Sequence, residues 1–268
     1  MREFWRAADD LGVFRGGWVY DHLLPIFTDG AGGPVLESWT LLTALGASTT
    51  RLRLGVMVSG NVYRNPALLM KMATSIDVIS DGRVDLGLGA GWNAEEYQRF
   101  GFGDVAAPGL PPVRERMDRL DEACAVVTAM RRSPDGATVQ GRYHGVDRAV
   151  LDPAPLGPLP LYIGGRGERR TLRTAARFAD GWNLPAGDAA VLAHKRGVLE
   201  RHCADLGRDP AEVEVSAQVV VDAGIDAAVD KAQALRAAGA GHVVFVFDPP
   251  LRTVDLQALA TRLDEHTA

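Results

Sequence analysis

The stretch "LRLGVMVSGNVYRNPALLMKMATSIDVISDGRVDLGLGAGWNAEEYQRFG", Leu52 to Gly101, decides the fold. It reads as strand, helix, strand. Leu52–Val58 is short and apolar. Asn65-Pro66 is a helix start, because Asn caps free N–H groups and Pro suits the first turn. A helical pattern runs over Pro66–Ser80, and Asp81-Gly82 turns the chain into a second strand, Val84–Ala90. In that strand Gly87 and Gly89 share one face, and Leu86, Leu88 and Ala90 cover the other. Glycine weakens a strand, so the bare face needs a reason. Either a flat ligand lies on the backbone or a neighbouring element packs tightly there. The G-x-G-x-x-G dinucleotide fingerprint fails, because Trp92 stands where the third glycine belongs.

The same alternation continues on both sides. Strands are expected at Trp18–Tyr20, Leu161–Ile163, Asp180–Leu184, Val213–Val221 and His242–Phe247, with helical patterns between them. The clearest helix is Val113–Arg132, where Val113, Met117, Leu120, Cys124, Val127 and Met130 repeat at helical spacing. Nearly all-apolar strands such as "HVVFVF" suit a parallel sheet covered on both faces. The class is therefore α/β, and a (β/α)8 barrel competes with a doubly wound sheet. The length, 268 residues, fits one barrel domain over 1–268. Ser133–Pro160 interrupts the alternation. It holds a Pro-rich run and a hairpin pattern in "ATVQGRYHGVDRAV", and reads as an insertion. Seven strands are legible where a closed barrel needs eight, and the chain opens in a helix, so the first strand is the missing one. An incomplete barrel, a misplaced gene start and a replacement segment all account for this.

Net charge is −5 and no basic stripe runs along the chain, which argues against nucleic acid as a partner. No apolar run reaches the about 20 residues of a membrane span. "MREFWRAADDLGV" is an amphipathic helix pattern rather than a signal peptide, so a cytoplasmic location is expected. Cys124 and Cys203 have no CxxC partner; they read as free, partly buried thiols, and no metal site is expected.

Three strand ends carry residues suited to chemistry. "WVYDHLLP" presents Asp21 and His22 directly after a strand, where a barrel places its active site. His22 can shuttle a proton near neutral pH; alternatively Asp21 caps the loop and His22 satisfies a carbonyl. Ser59-Gly60-Asn61 puts small polar residues after an apolar strand, leaving room for a ligand. Gly164-Gly165-Arg166-Gly167 ends another strand with a helix expected from Glu168. Exposed N–H groups, glycines and a guanidinium there suit an anion, above all a phosphate.

Taken together, "WVYDHLLPIF", the Leu52–Gly101 stretch and "LPLYIGGRGERRTLRTAARFADGWN" resemble the luciferase-like monooxygenase family, in its branch that uses the deazaflavin coenzyme F420. The resemblance implies a (β/α)8 barrel of that type with the insertion after its fourth strand. It implies a bulge with a non-proline cis peptide at Val56-Met57-Val58, propping the cofactor ring. Asp21 would hold the cofactor and His22 would be the catalytic group facing the substrate. Gly89-Ala90-Gly91 would pass beside the ring. Gly164, Gly165, Arg166 and Gly167 would cradle the phosphate, with Asp180 and Trp182 in the wall. The family's F420-dependent sugar-phosphate dehydrogenases carry a Glu where this chain has Trp92 and an aromatic where it has Ile26. The implied substrate is instead small and apolar or aromatic. FMN with O2 in a monooxygenase, and a non-catalytic flavin-binding barrel, are the alternatives. A homodimer is expected.

Overall fold

The computed structural model describes residues 1–26, 33–103 and 109–265. In chain order the elements are α1 (Arg2–Leu11), β1 (Gly16–Val19), α2 (Ser38–Gly46), β2 (Arg53–Gly60), α3 (Pro66–Ile79), β3 (Val84–Gly89), α4 (Ala94–Arg99) and α5 (Val113–Arg132). They continue with β4 (Ala137–Val139), β5 (Val146–Ala149), β6 (Leu161–Gly164), α6 (Thr171–Phe178), β7 (Gly181–Leu184), α7 (Ala189–Asp205), β8 (Glu214–Val220), α8 (Ile225–Ala237), β9 (His242–Val246) and α9 (Thr253–Asp264). All seven strands expected from the sequence are present and parallel within their ladders; β4 and β5 form the antiparallel hairpin of the insertion. The chain divides into two compact units, Met1–Gly17 with Ser48–Arg53 and Tyr162–Ala268, and Trp18–Ala47 with Leu54–Leu161.

The second unit is built on β2 and β3. They pair from Leu54 with Val84 to Gly60 with Gly89, and the register shifts between Val56 and Ser59. The Met57–Val58 peptide in this bulge is cis, where the resemblance placed one. Gly87 faces the bulge. A Cβ there would collide with the Val56 carbonyl oxygen, so the glycine lets the bulged strand come close. At Gly87 the bare face is therefore filled by protein, and the flat-ligand explanation falls away there. Asn65 caps α3 as expected, its Oδ1 accepting from the N–H groups of Ala67 at 2.9 Å and Leu68 at 3.3 Å. Trp39, Leu42, Leu69, Met70, Leu86 and Leu88 form the core of this unit. Helix α5 buries Met117, Leu120, Cys124, Val127 and Met130. The stripe starts one turn later than its spacing suggests, because Val113 in the first turn is exposed. Asp77, fully buried at the end of α3, accepts from Val84 N–H at 3.2 Å and from Leu156 and Gly157 N–H at 2.8 Å each. This carboxylate ties the end of the insertion to the start of β3. Leu86 N–H donates to the Pro160 carbonyl at 2.9 Å.

In the first unit β6, β7, β8 and β9 follow one another, with Tyr162 opposite Gly181, Trp182 opposite Val215 and Ser216 opposite His242. Asp9 on α1 accepts from the N–H groups of Thr50, Arg51 and Leu52 at 2.7 to 2.9 Å and anchors the entry to β2. Helix α6 starts at Thr171 rather than Glu168. Residues 168–170 form a turn, and Glu168 is drawn toward α7 by Lys195 at 2.5 Å and His194 at 3.0 Å. Both cysteines are buried free thiols, and burial pushes each thiol up. Among the described residues no helix is long and apolar enough to cross a membrane, and no cluster of ligating side chains could hold a metal.

A charged group also lies in this unit. Arg15 donates to Glu214 at 2.6 Å, and Tyr162 donates to the other oxygen of that carboxylate. Burial, with the Arg15 charge next, pushes His242 down to about 4 from 6.5, despite the pull of Glu214. Burial raises Glu214, but its bonds from Tyr162 and Arg15 outweigh that and hold it low. His242 thus stays neutral in the fold while an unfolded histidine protonates near 6.5. The unfolded chain binds more protons between those values, so stability falls as pH drops through that window, by about 1–3 kcal/mol. The low Glu214 acts in the same direction at lower pH. Urea midpoints at pH 7 and pH 5 should show the loss, and His242→Gln should flatten it. An unchanged slope in that variant would clear His242 of the effect.

Candidate functional site

Asp21 and His22 follow β1 after Tyr20 and belong to two separate networks in the second unit. The Asp21 carboxylate is buried. It accepts from Arg64 Nη1 at 2.6 Å and Nη2 at 3.0 Å, from Ser38 Oγ at 2.6 Å and from Gly60 N–H at 3.0 Å. Four donors fill the lone-pair sites of a carboxylate. Arg64 Nη2 also reaches Glu37 at 2.5 Å, and Glu37 caps α2 through the N–H groups of Trp39 and Thr40. Burial alone would lower the Arg64 guanidinium, but Asp21 and Glu37 more than reverse that. The sequence reading gave Asp21 to the cofactor. Here its oxygens are occupied by protein, and it fixes the loop after β2 instead.

His22 points the other way. Its Nδ1 lies 2.9 Å from Glu96 Oε2, and the Leu23 and Leu24 N–H groups donate to Oε1 at 2.7 and 2.9 Å. Tyr63 Oη donates to Oε2 at 2.6 Å. Glu96 sits in the first turn of α4, capped by Asn93, and its side chain is fully buried. Burial raises the Glu96 carboxyl, yet the bonds from Tyr63, His22, Leu24 and Leu23 hold it below the usual range. An ionised carboxylate only accepts, so Nδ1 of His22 carries the hydrogen and a neutral His22 offers Nε2 as its basic atom. Tyr63 is pushed up by burial and then by Glu96, so it remains a donor. The His22 ring lies 5.3 Å from Trp92 and 5.6 Å from Tyr20, and Trp92 is 62% exposed. Ile26 is half-buried.

The rest of the expected set in this unit lines the strand ends. Val56 and Met57 are buried and Val58 is half-buried. Gly89 closes β3 and accepts from Asn61 N–H at 2.9 Å. Ala90 is half-buried, and Gly91 has φ +74° with Val62 packed against it. Trp39 Nε1 donates to Ser59 Oγ at 3.0 Å beneath the bulge. Asp21, His22, Trp92, the bulge and Gly89–Gly91 thus share one unit, and Arg64 and Glu96 organise it.

The glycine turn belongs to the first unit. Gly164 ends β6, and Gly165 has φ +134°, a conformation side chains rarely adopt. Its N–H donates to Asn183 O at 3.1 Å and its carbonyl accepts from Trp182 Nε1 at 2.8 Å. Trp182 is fully buried, so it braces the turn from behind and is no open wall. Gly167 packs on Thr171, where a Cβ would lie 2.8 Å from its Oγ1. Arg166 is exposed and Asp180 half-buried. Behind them Gln218 donates to Asn183 at 3.0 Å, and Asn183 donates to Ser216 at 2.9 Å.

Sequence reading missed Glu37, Ser38, Tyr63, Arg64 and Glu96. Glu96 looked like one more surface acid in an acidic helix. Its one local signal is the Asn93 cap three residues before it.

The pattern of the luciferase-like monooxygenase family matches residues 1–268. An F420-dependent hydroxymycolic acid dehydrogenase of Mycobacterium tuberculosis is 31% identical over 242 residues, 89% of this chain and 63% of that protein. An F420-dependent secondary alcohol dehydrogenase, solved with an F420-acetone adduct, superposes with a TM-score of 0.80 at 19% identity, over 95% of this chain and 91% of its own. The oxygenating constituent of 3,6-diketocamphane monooxygenase of Pseudomonas putida, a type II Baeyer–Villiger enzyme solved with FMN, gives 0.72 at 15% identity, over 97% and 90%. The chain spans 60% of the length of the first mycobacterial relatives it matches, which are 33% identical. The superpositions show the barrel-type fold that the sequence led us to expect. This chain belongs to the luciferase-like monooxygenase family.

Proposed function

We propose that the chain is an F420-dependent oxidoreductase that moves a hydride between the deazaflavin and a small apolar or aromatic substrate. The observation that carries this reading is a histidine held by a buried carboxylate, with an exposed tryptophan beside it. The F420-dependent names of relatives covering most of the chain support it.

The residues suit such a cofactor. Val56, Met57 and Val58 form a bulge over the last turns of β2, and Gly89, Ala90 and Gly91 keep side chains short beside it. In the other unit Gly164, Gly165 and Gly167 add no side chains to the turn next to the exposed Arg166, which suits a phosphate. Asp180 precedes β7 and lies level with the start of β6, at the other end of the strands from that turn, so it is not part of the phosphate cradle. When bound, F420 supplies the carbon that accepts or gives the hydride. The chain supplies position and the proton: His22 Nε2 takes a proton from a substrate hydroxyl in oxidation and returns it in reduction, while Glu96 fixes the ring. Trp92 and Ile26 exclude water around the substrate. Asp21 acts as a positioning residue through Gly60 and Arg64. We also expect the chain to work as a homodimer.

Titration of the purified protein with F420 and with FMN, followed by cofactor fluorescence, tests this. Saturable F420 binding with little FMN binding is expected. Tight FMN binding without F420 binding would move the chain to the flavin monooxygenases. Binding of either without turnover of any alcohol, ketone or activated alkene acceptor would leave a non-catalytic barrel.

A further inference from the structure

A cavity of about 270 Å³ opens in the second unit, lined by Asn61, Tyr63, Tyr97, Phe102, Arg119 and His144 among others. Neither the family resemblance nor the His22 chemistry assigns it a ligand. Its walls are aromatic: the Tyr63 and Phe102 rings lie 4.9 Å apart, and Tyr97 and Phe102 6.1 Å apart. Two of its buried polar atoms are nitrogens without partners. Asn61 is 4% exposed, and its Nδ2 has no hydrogen-bond partner; His144 Nε2 is buried and equally without one. A buried amide left unpaired costs free energy that folding ordinarily avoids, so such an orphan marks a place kept for a ligand. Among the described residues no carboxylate lines the cavity. The nearby acids are occupied elsewhere. Glu122 accepts from the N–H groups of Arg142, Tyr143 and His144 at 2.6 to 3.0 Å, and Glu115 pairs with Arg119 at 2.8 Å. Arg119 also lies over the Tyr143 ring at 4.5 Å, which fixes its guanidinium near the rim.

We propose that this cavity binds a small aromatic carboxylate. The ring lies among Tyr63, Tyr97 and Phe102. The carboxylate oxygens accept from Asn61 Nδ2 and His144 Nε2, with Arg119 supplying the charge. An amide donor without an acceptor demands a ligand that brings oxygen, His144 Nε2 joins it in the tautomer that carries its hydrogen there, and an aromatic lining demands a flat apolar body. The volume sits just below the roughly 300 Å³ at which drug-sized sites begin, so the ligand has one ring. The proposal concerns binding alone; the cavity shares Tyr63 with the His22–Glu96 network, but benzoate binding is read without cofactor or turnover.

The test uses the full chain, with benzoate, acetophenone and benzylamine as probes, by calorimetry and saturation-transfer NMR. Benzoate should bind saturably, acetophenone more weakly and benzylamine not at all. Asn61→Leu should weaken benzoate at least about tenfold and raise Tm, because it removes an unpaired buried amide. A role in folding alone would give the opposite Tm change. Arg119→Gln should weaken benzoate and leave acetophenone unaltered, and this rim variant carries the test if Asn61→Leu does not fold. The proposal is overturned if benzoate does not saturate, if benzylamine binds as tightly, or if both variants bind benzoate like the parent.

Discussion

Replacing Arg64 with methionine lowers the stability of the chain by about 3–5 kcal/mol, the cost of removing one partner from a buried ion pair. The Arg64 side chain is 12% exposed and the Asp21 carboxylate fully buried. Methionine fills much of the same space, so packing changes little and charge dominates. Without the guanidinium, Asp21 keeps only Ser38 and Gly60 as donors. It must then stay charged without compensation or take a proton, and either route destabilises the fold. Lysine should not rescue the loss, because one ammonium cannot replace the fork that spans both Asp21 oxygens and Glu37. Arg64→Met combined with Asp21→Asn should recover part of it, since the unpaired charge is gone. Denaturant titration of the four proteins in that cycle measures the coupling. An Arg64→Met loss below about 1 kcal/mol would mean the pair is better solvated than its burial implies.

His22→Ala is the second large effect, and it falls on turnover. Loss of a general acid or base slows a reaction by about 10²- to 10⁴-fold. Cofactor affinity should move only a few-fold, because the bulge and the glycine turns remain. Glu96→Gln separates orientation from proton transfer. Glutamine keeps an acceptor for Leu23 and Leu24 but can present its amide nitrogen to His22, so the ring loses its fixed orientation. The expected loss is about tenfold in kcat with KM nearly constant, a size usual for a partner that orients a functional histidine. Single-turnover oxidation of the reduced cofactor, with binding measured separately, reads both numbers. If His22→Ala weakens cofactor binding as far as it slows turnover, the histidine is a binding group and the assignment fails.

Much of this architecture is legible from local pattern. Asn65-Pro66 marks the start of α3, Asp81-Gly82 the turn into β3, and the α5 spacing its buried stripe, because capping, turn chemistry and helical period act over a few residues. What escaped depends on contacts far apart in the chain. Arg64 meets Asp21 across 43 residues and Glu96 meets His22 across 74. Nothing in "YRNP" or "AEEYQ" names those partners. Gly87 shows the same limit from the other side. Its bareness was visible, but its cause, the bulge opposite, appears only when β2 and β3 are paired. Glu168 looked like the first residue of α6, yet Lys195 and His194 draw its side chain toward α7 and the helix starts later.

Asp77 sets a boundary for anyone who wishes to re-engineer the insertion. Its one carboxylate holds Val84 on one side and Leu156 and Gly157 on the other. The β4–β5 hairpin can therefore be shortened, exchanged or replaced by a foreign segment as a cassette, provided the graft rejoins the parent chain before Leu156. A splice placed after Gly157 would cut the tether, and the replaced segment would no longer be clamped to the sheet.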